Sequence, residues 1–338
     1  MKIVRTDCEI NTPRIDEGLC RDGHDLVLLP HVIPEARLIE ALAGADVLLA
    51  CYTPVTEKVI AAATRLRGIV KYGVGIDAID IAAAKHRGIT VVNIPTYAEE
   101  TVAEAAFALI IALARRLPDL HRHMQQHGWA WPEPAWIGSD IAGQTIGIVG
   151  LGRIGRSLAR MAGCGFRARV VAFDPCVSAA DMEALGVVKL DTLDDLMASA
   201  DAVAVLAVLD STTRGMIGAR ELALMKPTAI LVNVSRGAIV DETALVEALL
   251  EHRIAGAGLD VFDDEPLACK GHPLSGLYGM PNVILTPHLA FYTREAMARL
   301  ERETLERCRE LVNGEPVRIR STDSRLAGQA NVTYTPAS

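Results

Sequence analysis

The pattern that most restricts the fold is an alternation. Short runs rich in valine, isoleucine and alanine recur along the chain, and segments of helical spacing separate them. Strands buried on both faces read as continuous apolar runs, and parallel neighbours need a crossover helix between them, so the chain reads as an α/β protein built on parallel sheets. In the first third the strands fall at Ile3–Arg5, Val47–Ala50, Ile69–Lys71 and Thr90–Asn93, with helices at Pro34–Ala43 and Asp80–His86. A long helix follows from Glu99 to Leu117 and ends at Pro118. The segment His127–Gly143 breaks the rhythm: it carries Trp129, Trp131 and Trp136 without a clean period and reads as an arm or long loop. Beyond Gln144 the strands are Thr145–Val149, Arg169–Phe173, Ala202–Ala207, Ala229–Val234, Ala255–Val261 and Val283–Thr286. Helices lie at Arg153–Ala162, Leu193–Ala198 and Glu242–Glu251, Asp191–Asp195 marking a helix start, and an amphipathic helix spans Thr293–Leu311. The polar tail from Ser321 to Ser338 is expected to be mobile or packed only locally.

A length of 338 residues, half of them hydrophobic, suits two domains with cores of their own. The acidic balance, 42 Asp and Glu against 34 Lys and Arg, argues against a nucleic-acid surface. The most apolar helical stretch, Ala105–Ala114, is far short of the ~20 residues a membrane span needs. The amino terminus, MKIVRTDCEINTP, has no apolar run of the signal-peptide kind. Seven scattered cysteines, Cys8, Cys20, Cys51, Cys164, Cys176, Cys269 and Cys308, with no CxxC pair, fit reduced thiols in a cytoplasmic protein. No metal site is expected: His121, His123 and His127 have no Glu or Cys at ligand spacing and read as a solvated helix face.

Gly150-Leu151-Gly152-Arg153-Ile154-Gly155 follows the strand Thr145–Val149 and opens a helix, the setting in which GxGxxG becomes a strong dinucleotide signal. Gly150 permits the tight turn, Gly152 lets backbone amides approach a pyrophosphate, and Gly155 allows close helix–strand packing. The helix amino terminus adds partial positive charge. The next strand ends in Asp174, nineteen residues after Gly155. A carboxylate there accepts hydrogen bonds from ribose hydroxyls and repels a 2′-phosphate, and Pro175-Cys176-Val177 brings no cation, so NAD is expected over NADP.

Three ionisable residues follow later strands, where open α/β sheets place their ligands: Arg236 in Val234-Ser235-Arg236-Gly237, Glu265 in Asp263-Asp264-Glu265-Pro266, and His288 in Thr286-Pro287-His288. A guanidinium can hold a substrate carboxylate through paired donors. An imidazole can exchange a proton with an alcohol or ketone oxygen, and a carboxylate beside it stabilises its charged form and fixes its tautomer. Singly, each has a plainer reading: a surface arginine on a turn, one more acid in an exposed loop, a helix-capping histidine. Together, downstream of a dinucleotide turn, they point to hydride-transfer chemistry.

The string GLGRIG…FDP…NVSRGAIVDE…GLDVFDDEP…TPHLA resembles the D-isomer-specific 2-hydroxyacid dehydrogenase family, and KYGVGIDAIDIAAA and EETVAEAAFALIIALAR are similar to family segments as well. The resemblance implies two doubly wound domains: a Rossmann NAD-binding domain at 98–288 inserted into a flavodoxin-like substrate domain formed by 1–97 and 289–338. It implies catalytic Arg236, Glu265 and His288, and cofactor contacts at Thr101, Gly150, Gly152, Arg153, Ile154, Gly155, Asp174, Val234 and Asp260. The substrate, a small 2-hydroxy or 2-oxo acid, would meet the backbone of Val74 and Gly75 together with Arg236. A homodimer formed on the Rossmann side is implied, with the Trp-rich arm as a dimer element.

Departures from the family pattern narrow this reading. Ala50 stands where phosphoglycerate dehydrogenases carry an arginine, which weakens a phosphorylated substrate, and Tyr52 after it reads equally as a wall of the pocket or as a core tyrosine at a strand end. Leu206 and Val208 replace a histidine and a proline on the adenine side, which bears on affinity and not on chemistry. FDP and the pair Phe291-Tyr292 are similar to the branch containing the C-terminal-binding-protein corepressors. The alternative to an NAD-dependent 2-oxoacid reductase is therefore an NADH-sensing interaction protein with little turnover.

Overall fold

The computed structural model describes residues 1–268 and 270–335; Cys269 and the last three residues of the tail lie outside the described residues. The chain divides into two compact units, one made of Met1–Ala98 with Tyr292–Ser338 and the other of Glu99–Phe291.

The first unit opens with strands β1 (Lys2–Arg5), β2 (Asp25–Leu28), β3 (Val47–Ala50), β4 (Gly68–Lys71) and β5 (Thr90–Asn93). They form one parallel sheet in the order β2-β1-β3-β4-β5. This is the flavodoxin-type order, in which the direction of winding reverses between β1 and β3. Strands β3, β4 and β5 are buried at every position, the polar Lys71, Thr90 and Asn93 at the ends of β4 and β5 included.

The second unit holds β6 (Thr145–Val149), β7 (Arg169–Phe173), β8 (Val188–Lys189), β9 (Ala202–Val205), β10 (Ile230–Asn233), β11 (Gly256–Leu259) and β12 (Val283–Leu285). Its seven-stranded parallel sheet runs β12-β11-β10-β9-β6-β7-β8, so the winding reverses between β6 and β9. Val149, Val203, Val205, Leu231, Leu245, Leu249 and Leu259 meet in one core between sheet and helices. At about 1.5–3 kcal/mol for each such side chain taken out of water, this core holds the strand ends of the unit in place.

The expected parallel α/β architecture is present, with local differences. The helix from Glu99 ends at Ala114, because Arg116 takes a left-handed conformation (φ 52°), and Pro118 lies in the first turn of a new helix, Leu117–His127. Proline is tolerated there because a first-turn N–H has no helical partner to lose. The arm that follows contains one 3₁₀ turn, Pro134–Trp136. The helix expected over Arg153–Ala162 is α-helical to Arg160 and continues as a π turn, Met161–Gly165. Helices at Pro13–Arg21, Glu57–Ala62, Ala179–Glu183 and Ala219–Leu224, and the short strands β2 and β8, add to the elements named from the sequence. Among the described residues no helix is long and apolar enough to cross a membrane.

The described part of the tail is not loose. Strands β13 (Val317–Ile319) and β14 (Val332–Tyr334) pair in parallel, and Leu326 between them is fully buried. Gln329 reaches the open edge of β5, where its carboxamide accepts from Val91 N at 2.6 Å and donates to Val91 O at 2.9 Å. One polar side chain thus imitates the peptide group of a missing neighbouring strand.

Candidate functional site

In the second unit the loops at the carboxyl ends of β6, β7, β9, β10, β11 and β12 carry most of the residues singled out above. Gly150 has φ +94°, and a Cβ there would stand 2.6 Å from Ala207 N and Cα in the loop after β9. Both conformation and space therefore demand glycine at the point where the winding reverses. A Cβ on Gly155 would collide with Gly150 O. Gly152 instead faces open space, and it begins the helix Arg153–Arg160 with no side chain capping it. Helix N–H groups without a capping side chain beside an open glycine form a cradle that fits a pyrophosphate.

Asp174 follows β7 and is bound to this turn: Oδ2 accepts from Leu151 N at 2.8 Å and Oδ1 from Cys176 N at 2.8 Å. Each carboxylate oxygen keeps acceptor capacity for a ribose hydroxyl. A cation does stand near the following residues, which the linear reading did not place: Lys189 Nζ donates to Val177 O at 2.7 Å. Arg153 forms an ion pair with Glu99 at 3.3 Å, and Thr101, two residues further along the Glu99–Ala114 helix, is buried. Ile154 is half-buried and Val234 buried.

The loop after β10 is locked by its own side chains. Asn233 accepts from Ser235 N and donates to Arg236 O, while the Ser235 hydroxyl donates to Ala207 O. Arg236 is half-buried, with Nη1 on Ser235 O at 2.7 Å.

His288 has φ +55°, a conformation unfavourable for a residue with a Cβ. Buried Asp260 holds it there. The Asp260 carboxylate accepts from Thr286 Oγ1 (2.6 Å), Leu289 N (3.0 Å) and Ala290 N (2.9 Å), and its carbonyl accepts from His288 N (2.8 Å). The sequence pointed to Asp260 only as a cofactor contact; its work for the His288 turn is visible in coordinates alone. His288 Nδ1 stands 2.7 Å from Glu265 Oε2, with the side chains 26% and 29% exposed. Glu265 Oε1 accepts from Phe262 N at 2.9 Å. Burial pushes the Glu265 carboxyl up, but the His288 hydrogen bond and charge, the Phe262 N–H and the Arg236 charge more than offset this and hold it below the usual glutamate range. An ionised Glu265 accepts the Nδ1 proton, leaving Nε2 to exchange a proton with something else. Glu265, His288 and Arg236 are thus brought within electrostatic reach of one another in one unit.

Tyr52, Val74 and Gly75 belong to the other unit, beyond the carboxyl ends of β3 and β4. Tyr52 packs edge-on to His31 with ring centroids 5.7 Å apart, and Lys71 Nζ lies 5.4 Å from its ring centre. Val74 is exposed, and its carbonyl accepts from Asn93 Nδ2 at 2.6 Å. Under Tyr52 lies a group that spacing did not reveal. Buried Asp7 (φ +55°) accepts from Thr6 Oγ1, Cys51 N, Tyr52 N, Thr53 N, Thr53 Oγ1 and His31 Nδ1. Burial pushes its carboxyl up, and these donors more than reverse that, holding it below the ordinary aspartate value.

Residues 107–290 match the model of the D-isomer specific 2-hydroxyacid dehydrogenase, NAD binding domain. The glyoxylate reductase of Korarchaeum cryptofilum is 41% identical over 295 residues, covering 84% of this chain and 87% of that protein. The D-3-phosphoglycerate dehydrogenase of Mycobacterium tuberculosis is 40% identical over 280 residues, 82% of this chain; the chain spans about half (51%) of that relative's length. Among solved structures, a D-lactate dehydrogenase from Aquifex aeolicus complexed with NAD and lactic acid superposes with a TM-score of 0.83 at 30% identity, covering 92% of this chain and 96% of that one.

Proposed function

Because the chain belongs to the D-isomer specific 2-hydroxyacid dehydrogenase family, we propose that it interconverts a small, unphosphorylated 2-oxoacid and its D-2-hydroxyacid with NAD as cofactor. The observation that carries this is the His288–Glu265 contact of 2.7 Å in the unit that also bears the glycine turn. Bound NADH supplies the hydride. In reduction His288 gives its Nε2 proton to the carbonyl oxygen and keeps its Nδ1 proton, while ionised Glu265 accepts the Nδ1 hydrogen bond and balances the imidazolium charge before transfer. Arg236 supplies planar paired donors for the substrate carboxylate. In oxidation neutral His288 takes the alcohol proton back. Val74, Gly75 and Tyr52 are assigned to substrate recognition, and Thr101, Gly150, Gly152, Arg153, Ile154, Gly155, Asp174, Val234 and Asp260 to the cofactor.

Ala50 in place of a cation disfavours a phosphorylated substrate, and the likeness to a glyoxylate reductase over most of both chains supports a short oxoacid. The test is NADH oxidation by the purified protein with glyoxylate, hydroxypyruvate, pyruvate and phenylpyruvate. Turnover of one or more supports the enzyme; tight NADH binding with no turnover of any would favour a dinucleotide-sensing role.

We also propose a homodimer acting in the reducing cytoplasm. Supporting self-association, the helix Leu117–His127 buries none of its residues, and Trp129, Trp131 and Ile137 after it are 63%, 74% and 72% exposed. Apolar exposure on that scale in one segment marks a contact surface. Cys8, Cys20, Cys164, Cys176 and Cys308 stand as thiols, in keeping with that compartment.

A further inference from the structure

We infer that Glu242 is a positioning residue for the Glu265–His288 pair, acting through the backbone N–H of Asp263. This rests on the reading that Glu265 and His288 form the proton relay. Glu242 is the first residue of the helix Glu242–Leu250, where an acid would ordinarily be credited with favouring the helix terminus. That task already has an owner, since the Asp241 side chain caps the helix by accepting from Ala244 N at 3.1 Å. Glu242 instead turns to a different segment, and its Oε1 accepts from Asp263 N at 2.8 Å. Asp263 lies between the two residues that fix the acid of the pair: Phe262, whose N–H binds Glu265 Oε1, and Glu265 itself.

The same short loop is pressed from a second side. A Cβ on Gly237 would overlap Phe262 C and Asp263 N, so the turn carrying Arg236 rests directly on the backbone carrying Glu265. Glu242 thus fastens, by one hydrogen bond, a loop that Gly237 allows to sit flush against the Arg236 turn. Burial and the carboxylates of Asp263 and Glu265 push the Glu242 carboxyl above its usual range, against the Asp263 N–H and the nearby His272. Arg214 pairs with the Asp263 side chain at 3.5 Å.

The test uses the full chain with two substitutions that divide acceptor from charge. Glu242→Gln keeps an oxygen for Asp263 N and loses the charge; Glu242→Asp keeps the charge and withdraws the oxygen by one methylene. With the best oxoacid of the panel, Glu242→Asp is expected to lose roughly tenfold to a hundredfold in kcat, the cost of a misplaced catalytic group, and Glu242→Gln only about threefold. The KM for NADH is expected to stay put in both. Independently of turnover, the low-field NMR resonance of the His288 Nδ1 proton is expected to move upfield in Glu242→Asp, as it would on lengthening of the Glu265 contact. Wild-type kcat and an unmoved Nδ1 resonance in Glu242→Asp, or equal damage in both variants, would overturn the inference. Wild-type turnover by His288→Ala would overturn the proton-relay reading instead, and the Nδ1 resonance would still report whether Glu242 sets the geometry of the pair.

Discussion

Replacing Glu265 by glutamine leaves an oxygen that can accept the His288 Nδ1 proton but removes the charge facing it at 2.7 Å. Neutral His288 donates Nδ1–H to the carboxylate as well, so the hydrogen bond itself cancels between the two protonation states. The charge–charge attraction, on the order of 1–1.5 kcal/mol for a partly exposed pair, falls on the protonated form of His288 alone. With about 1.4 kcal/mol to a pH unit, the pH midpoint of the proton-requiring limb should drop by about one unit. Both side chains are less than a third exposed, so solvent screening reduces this without abolishing it. The assay is kcat/KM for oxoacid reduction from pH 5 to 9, with NADH binding measured alongside. The expected result is a profile moved to lower pH, a roughly tenfold loss above its midpoint, and unchanged NADH affinity. Oxidation of the hydroxyacid, which needs neutral His288, should extend to lower pH by the same amount. A reduction profile with an unmoved midpoint would refute the argument, whatever happened to the absolute rate.

Other substitutions probe separate parts. His288→Ala should keep NADH binding and lose about 10²–10⁴ in turnover, read by fluorescence titration and steady-state kinetics. Asp174→Ser should raise kcat/KM with NADPH relative to NADH, because it removes the anion that repels a 2′-phosphate while Lys189 remains nearby; an unchanged ratio would count against Asp174 as the selector. Asp7→Asn should cost about 2–4 kcal/mol in urea unfolding at pH 7, since the amide presents hydrogens to a site lined with donors. The native Asp7 carboxyl lies below its unfolded value, so its stabilisation is present above about pH 4 and lost as pH falls through the native value; the variant should be less acid-sensitive in that window. Trp131→Ser should lower the mass seen by light scattering from dimer towards monomer, and an unaltered dimer would place the interface elsewhere.

The glycine turn was legible in the sequence because its demands are local: a strand, a positive φ at Gly150, an open face at Gly152. The position of Arg236, Glu265 and His288 was legible because each follows an apolar run that had to be a strand, and strand ends of a parallel sheet gather on one edge. What could not be read depends on long-range closure. Apart from Thr6, the donors around Asp7 come from segments 24 to 46 residues away, and no period records their convergence. The role of Asp260 in holding a left-handed His288 required the backbone path of the turn. Lys189 comes near Val177 through the pairing of β8 with β7, where the strand has only two residues to announce it. Pro118 misled because proline both ends helices and begins them, and only the conformation of Arg116 decided between the two.

The carboxamide of Gln329 on Val91 has a bearing on how this polypeptide can be handled. Without it, Val91 N and O on the edge of β5 would be open to an extended peptide, while β13 covers the strand nearby. Shortening the chain ahead of Ser324 would remove both that carboxamide and the buried Leu326, and is expected to raise the tendency of the protein to self-associate through this edge. A single glutamine far along the chain thus guards a strand that the sheet itself leaves unpaired on one side.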